Sequence, residues 1–289
     1  MLFGGRHVST ANTVATDTPT APTSFVSRLL LNPPMIRVVF CLGVSLLLRL
    51  EYLIAKATVG LLAREWSQNK VRIFSVRVVS FTHAAISSLG CLFSLLSDSN
   101  YVKKPYDYTA TSAQYVFLFS MGYFIYDLID MLIHGEAHNS KEYIVHHSLV
   151  LTVFSIILFT GKLFGFAMIA LLVEVQTIFL HLRTMVRLTG YSKRGSAAYN
   201  ALINANMACL FLFRHIPVTY LLYVMLVKDE KTPLVLRTFL VGGLSFLTYH
   251  NTHLTIAMVK ADGFFGYETQ SLDEDHVDPL GPVKVKKTS

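Results

Sequence analysis

Seven long apolar runs alternate with short polar connectors along this chain, at about 36–61, 76–97, 113–133, 143–161, 163–182, 199–227 and 234–259. Each reads as a helix. Roughly twenty apolar residues rising 1.5 Å apiece cover the ~30 Å hydrocarbon core of a bilayer. The fourth run, YIVHHSLVLTVFSIILFTG, has no acidic or basic residue and carries His146 and His147 near its start. Polar groups in such a segment face a protein interior or a cavity. The first run is the least regular, interrupted by Arg37, Arg49, Glu51 and Lys56. It reads either as a spanning helix with snorkelling ends or as an interfacial one. Arg49 and Glu51 do not share a helix face and cannot pair along it. The sixth run is broken by Arg214, His215, Ile216 and Pro217. Pro217 donates no backbone bond and crowds the carbonyl of Phe213, so the pattern predicts a kink there.

The flanks read differently. Residues 1–35 are rich in Ser, Thr, Ala and Pro, with no apolar core behind a basic start, and read as a disordered tail rather than a secretory signal. Residues 36–74 hold the first helix and its loop, 75–262 the main membrane domain, and 263–289 an acidic then basic tail. Composition agrees: 53% of the 289 residues are hydrophobic and 15% charged, against about a quarter charged in soluble proteins. The fold class is therefore all-α, a polytopic integral membrane bundle of about seven spans.

The net charge of +7 is spread over short connectors. It reads as a topology signal and not as a nucleic-acid footprint. With seven spans, Arg64, Lys70, Arg72, Arg77, Arg183, Arg187 and the terminal lysines gather on one side, which makes that side cytosolic. The N-terminus is then lumenal or outside and the C-terminus cytosolic. Cys41, Cys91 and Cys209 lie in apolar runs without paired spacing and read as buried thiols.

Four formal charges sit inside apolar runs: Asp127, Asp130, Glu174 and Arg214. Each costs roughly 2.5–3.5 kcal/mol at a lipid-exposed helix centre, and four together on the order of 10 kcal/mol, as much as a domain's whole stability. They must face inward or lie near the interface. Tyr123, Asp127, Asp130 and His134 recur as one helical stripe, with Phe117, Phe124, Ile125 and Leu128 on the opposite face. Glu174, Thr177 and His181 form a second stripe. His146 and His147 are about 100° apart, so at least one can turn inward. The expected result is a polar chamber. An imidazole there can take a proton from a hydroxyl or amine while a carboxylate fixes its tautomer. The competing reading is structural: Asp127 and Asp130 pair with Arg214 or His215 and join the helices. No metal is expected. His134 with His138, the double histidine, and His250 with His253 are superficially like the boxes of membrane desaturases. But residue 143 is Tyr and residue 254 is Leu, so neither HxxHH box exists.

Five segments carry a family likeness: FTH at 81–83, SMGYFIYDLID at 120–130, EYIVHH at 142–147, LLVEVQTIFL at 171–180 and FLFRHIP at 211–217. Together they resemble the TLC domain shared by ceramide synthases, the translocon-associated TRAM protein and the TLC-domain-containing proteins, in the branch of TLC-domain-containing proteins 1 and 2. The resemblance implies six helices around a lipid-accessible cavity. His146 and His147 match the family's double histidine and Glu174 its first acid, making these three the candidate catalytic residues. Val173 and Thr177 stand where ceramide synthases have a His and a second Asp, so the synthase site is incomplete. Tyr123, Asp127, Asp130, His83, Thr177, Arg214 and His215 are the expected cavity lining.

The branch implies regulation of phospholipid acyl composition and membrane fluidity, limiting polyunsaturated chains. Phospholipids, fatty acyl chains and lipid-acylating enzymes are the partners, and no cofactor is required. One alternative is a lipid acyltransferase taking acyl-CoA, with His146 or His147 as base and Glu174 orienting it. Another is a lipid transporter gated at the sixth helix. The branch points to the plasma membrane. Lys286 and Lys287, third and fourth from the end, resemble a dilysine signal for the endoplasmic reticulum.

Overall fold

Each of the seven apolar runs forms a helix in the computed structural model, which describes residues 33–135, 141–191 and 196–267. The helices are α1 (Pro33–Leu62), α2 (Gln68–Ser97), α3 (Thr111–Ile133), α4 (Lys141–Thr160), α5 (Phe164–Leu188), α6 (Ala197–Lys228) and α7 (Leu234–Asp262). The described residues contain no strand. The chain divides at Val38, and the packing below is that of the part from Val39 onward. The tail at 1–32, His138 and the dilysine-like end lie outside the described residues.

Helices α1 to α6 are long and apolar enough to cross a membrane. Helix α7 is as long, 29 residues, but the polar run from Tyr249 to His253 dilutes its hydropathy. For α1 this favours the spanning alternative. Its exposed apolar side chains include Leu42, Leu46, Leu47, Leu50 and Ile54, a lipid-facing surface. Its buried stripe is Cys41, Val44, Leu48 and Tyr52, at the i, i+3, i+7, i+11 spacing of one helix face.

Helix α3 is the enclosed centre, with 56% of its apolar window buried against 17% for α4. Gly122 lets α1 come close. A Cβ there would lie 2.7 Å from Val44 Cβ and 2.8 Å from the Cys41 carbonyl oxygen. The Ser45 hydroxyl donates to the Gly122 carbonyl at 2.6 Å. Small residues serve α2 likewise: its buried serines include Ser87, 2.9 Å from Ser120 of α3. Such residues let membrane helices approach and bond where apolar packing alone gives no preference over lipid.

Helix α2 begins eight residues before its apolar run, with the Ser67 side chain accepting from the Lys70 amide at 3.2 Å. Arg72 and Arg77 are therefore helical, not loop residues. Arg72 reaches Asp130 at 3.3 Å, and Arg77 is buried against His181 at 3.3 Å. Helix α5 runs on past its apolar run too, and Arg183 and Arg187 are buried near Asp262. The charge tally counts these four arginines as topology signals. As internal contact-makers they leave it, because Arg72, Arg183 and Arg187 meet acids of the bundle and Arg77 meets His181.

At the opposite end a strap, residues 98–110, crosses the loops. The Leu163 amide donates to the Tyr106 carbonyl at 2.7 Å and that of Gly165 to the Pro105 carbonyl at 3.0 Å. Only glycine fits at 165, since a Cβ would lie 2.1 Å from the Tyr101 carbonyl oxygen. Asp107 accepts from Lys162 and from Lys231, each at 2.8 Å. Those two ammonium groups hold its carboxyl down at about 2.

Candidate functional site

Pro217 shapes the first wall of the site. With no amide hydrogen at 217, α6 re-registers through a π turn at Phe211–His215, where the Ile216 amide reaches the Phe211 carbonyl. The expected kink is thus taken up as an expanded turn, and Arg214 lies on it. Its guanidinium donates to the Thr177 hydroxyl at 3.1 Å and to the Asn251 side-chain oxygen at 3.4 Å, joining α5, α6 and α7. Neither Asp127 nor Asp130 pairs with it.

Around Arg214 is a polar cavity of about 80 Å³. Six helices line it: Arg77 from α2; Tyr123, Phe124 and Asp127 from α3; Tyr143, His146 and His147 from α4; Glu174, Thr177 and His181 from α5; Arg214 from α6; His250 and Leu254 from α7. Helix α1 supplies no lining residue. The volume admits about two or three waters at their share of liquid volume.

Two histidine–carboxylate contacts define its chemistry. His147 Nε2 lies 2.9 Å from Asp127 Oδ2, a close contact rather than an aligned hydrogen bond. His147 Nδ1 lies 2.7 Å from the Tyr143 carbonyl oxygen. That carbonyl only accepts, so Nδ1 carries a hydrogen. Nε2 and Oδ2 are then close enough for a proton to pass between them. The second contact is looser, His83 Nδ1 to Glu174 Oε2 at 3.8 Å. His83 stacks on Tyr123, ring centroids 3.8 Å apart, and the Tyr123 hydroxyl donates to Ser80 at 3.0 Å. His146 stacks with His250, and its Nδ1 is buried with no hydrogen-bond partner.

Of the expected residues, His146, His147, Glu174, Tyr123, Asp127, Thr177 and Arg214 share this space. His83 stands one layer behind, covered by Tyr123. Two do not join them. Asp130 lies a turn away from the cavity, held by Arg49 at 3.2 Å and Arg72 at 3.3 Å. His215 turns to Thr255 at 2.8 Å, because adjacent positions on a helix point about 100° apart. The carboxylate facing the double histidine is Asp127, not Glu174. Phe124, expected opposite the acids, packs on His147 with centroids 5.2 Å apart. Arg77, Tyr143, His250 and Leu254 were not foreseen as lining. Tyr143 precedes His147 by one helical turn and His250 belongs to the polar run of α7, which are usable signals. Arg77 has none, because it reads as a loop charge.

Directly beyond the chamber lies an apolar cavity of about 110 Å³, lined among others by Leu149, Phe154, Phe166, Leu221, Met225 and Gly243. Helices α4 to α7 line it and are four of the six that line the chamber. On α4 the lining passes from His147 to Leu149 and Val150, on α5 from Glu174 to Ala170, on α7 from His250 to Leu247, and on α6 from Arg214 to Leu221.

The comparisons with known proteins follow from this geometry. The TLC domain family profile matches residues 73–260, which take in all six cavity-lining helices. The chain is 34% identical to TLC domain-containing protein 1 of Gallus gallus over 144 residues, 50% of this chain and 56% of that protein. It is 34% identical to TLC domain-containing protein 2 of Danio rerio over 143 residues, 50% of this chain and 57% of that one. With TLC domain-containing protein 1 of Homo sapiens it shares 31% over 171 residues, 59% of this chain and 67% of that protein. The match thus spans a little over half the length of the first two relatives. This integral membrane protein belongs to the TLC domain family.

Proposed function

We propose that this protein regulates the acyl composition of membrane phospholipids, and so membrane fluidity, by holding a lipid acyl chain inside its bundle. The supporting observation is that α4 to α7 line two cavities at successive levels, one apolar and one polar. An amphiphile has that shape. Burying one CH₂ away from water contributes about 0.8 kcal/mol, but a chain leaving lipid gains little of it. Selectivity must therefore come from the polar end and from fit. On this reading polyunsaturated chains are the ones it limits. We place the protein in the plasma membrane or endoplasmic reticulum.

The test is lipidomic. Cells lacking the protein and supplied with a polyunsaturated fatty acid should accumulate phospholipids carrying it. Wild-type protein should reverse this and Asp127→Asn should not. No accumulation in its absence rejects the proposal.

One observation favours a second reading, acyl transfer from acyl-CoA. His147 and Asp127 are in contact, and His146 Nδ1 is without a hydrogen-bond partner beside them. His146 would take the acceptor hydroxyl's proton as its oxygen attacks the thioester carbonyl, and His147 would donate a hydrogen bond to the developing oxyanion. On collapse the C–S bond would break and His146 would return the proton to the departing CoA thiolate. Purified protein given radiolabelled acyl-CoA and mixed lipid acceptors decides it. Turnover abolished in His146→Ala supports transfer, and absent turnover rejects it.

A further inference from the structure

Arg214 is the unusual cation of this membrane interior. Other arginines of the bundle touch an acid or a histidine. Arg183 is on Asp262, Arg72 on Asp130, and Arg77 on His181. Arg214 bonds only the neutral oxygens of Thr177 and Asn251, and its Nε is buried with no hydrogen-bond partner. Of the two acids of the chamber, Asp127 is at His147, while Glu174, 3.8 Å from His83, acts on Arg214 across Thr177 without touching it. Among the described residues no carboxylate lies within 4.0 Å of the guanidinium. A guanidinium stays charged in proteins, and a partly buried charge whose counter-ion stands beyond contact distance leaves donors to be satisfied.

The position of this cation is informative. Arg214, Leu221 and Met225 follow one another at seven and four residues on α6, one face of the helix. The first seven residues place the guanidinium's backbone about 10 Å from the apolar cavity lining. Two of its five N–H groups are used, and the Nε edge offers two parallel donors, the fork that fits a carboxylate. A chamber of about 80 Å³ suits a group of that size better than a glycerophosphate.

Accepting that the bundle holds an acyl chain, on which this rests, we propose that Arg214 binds the carboxylate of an unesterified long-chain fatty acid whose tail enters the apolar cavity. The protein then samples the free acid before it is esterified. Its effect on composition would be exerted upstream of the acylating step.

Full-length protein in nanodiscs should show saturable binding of radiolabelled oleate and weak binding of methyl oleate. Arg214→Gln should weaken oleate binding by at least about tenfold, the effect of a lost charge-assisted bond. Arg214→Lys, which keeps the charge, should recover part of it. His215→Ala, outside the chamber, should bind as wild type. Gly243→Leu, which fills the apolar cavity against Leu149, should abolish binding with Arg214 intact. Equal binding of oleate and methyl oleate overturns the carboxylate assignment and leaves the acyl-chain reading standing. So does unchanged oleate affinity in a folded Arg214→Gln. Lysophosphatidic acid displacing oleate at lower concentration assigns the site to phosphate and overturns it too. If neither oleate nor methyl oleate binds the wild type, the acyl-chain reading itself falls.

Discussion

Asp127 and Asp130 stand three residues apart on α3, both nearly enclosed by protein, yet they meet different partners. Asp130 lies between Arg49 and Arg72, cations that never release a proton, with His134 of its own helix farther off at 3.4 Å. Asp127 faces His147 at 2.9 Å, a partner that can. Asp262 repeats the first pattern at the end of α7, with Arg183 at 2.8 Å and Arg187 at 3.9 Å. Glu174 repeats the second beside His83. An acid fixed by arginine joins helices. An acid fixed by histidine leaves a proton that a ligand can borrow.

Substitutions that separate the two kinds should therefore differ in what they damage. The largest loss of stability is expected for Asp262→Ala, which strands Arg183 and Arg187. Removing one partner of a buried pair costs about 3–5 kcal/mol, read as a lowered unfolding temperature in detergent. Gly122→Ala should follow at about 1–3 kcal/mol, because its Cβ meets α1 backbone that cannot move aside. Asp127→Asn should change stability by less than about 1 kcal/mol, since Asn keeps the size and a hydrogen-bonding oxygen. It should nevertheless abolish the effect on phospholipid composition. A destabilisation as large as that of Asp262→Ala would make Asp127 another joint and erase the comparison.

The smallest effect lies outside the membrane. Lys162 and Lys231 hold Asp107 at about 2, below the usual carboxylate range. A group depressed on folding stabilises above its unfolded value, and that stabilisation is lost as pH falls through the folded one. Between pH 6 and 8 the clamp is intact and constant. Below about pH 4, wild-type unfolding temperature should fall toward pH 2, and the Asp107→Asn variant should follow a shallower acid limb. Coincident limbs would show that these exposed lysines contribute nothing.

The helices were legible in the sequence because a bilayer imposes length and polarity together, so boundaries of α3, α4, α6 and α7 fall within a few residues of the apolar runs. The starts and ends that sequence reading missed carry buried arginines, in α2 and α5. Charge marks the interface only when it is solvated, and Arg77 or Arg183 beside an internal partner mimics a loop residue. In the chamber, the stripes of α3 and α5 and the double histidine were legible from helical spacing. The pairing was not. Spacing places Asp127 and Glu174 on inward faces, but which acid meets which histidine depends on helix rotation, and no single helix encodes that. The π turn was half legible: Pro217 announces a broken bond, while its repair by a wider turn depends on Arg214 finding Thr177 and Asn251.

The most direct measurement is native mass spectrometry of the protein purified in mild detergent. Wild type should carry one single-chain lipid per copy. Leu149→Trp, which fills the apolar cavity from α4, should come out empty while unfolding at a similar temperature. A wild type free of bound lipid, or a Leu149→Trp variant carrying the same lipid in the same amount, would contradict the account.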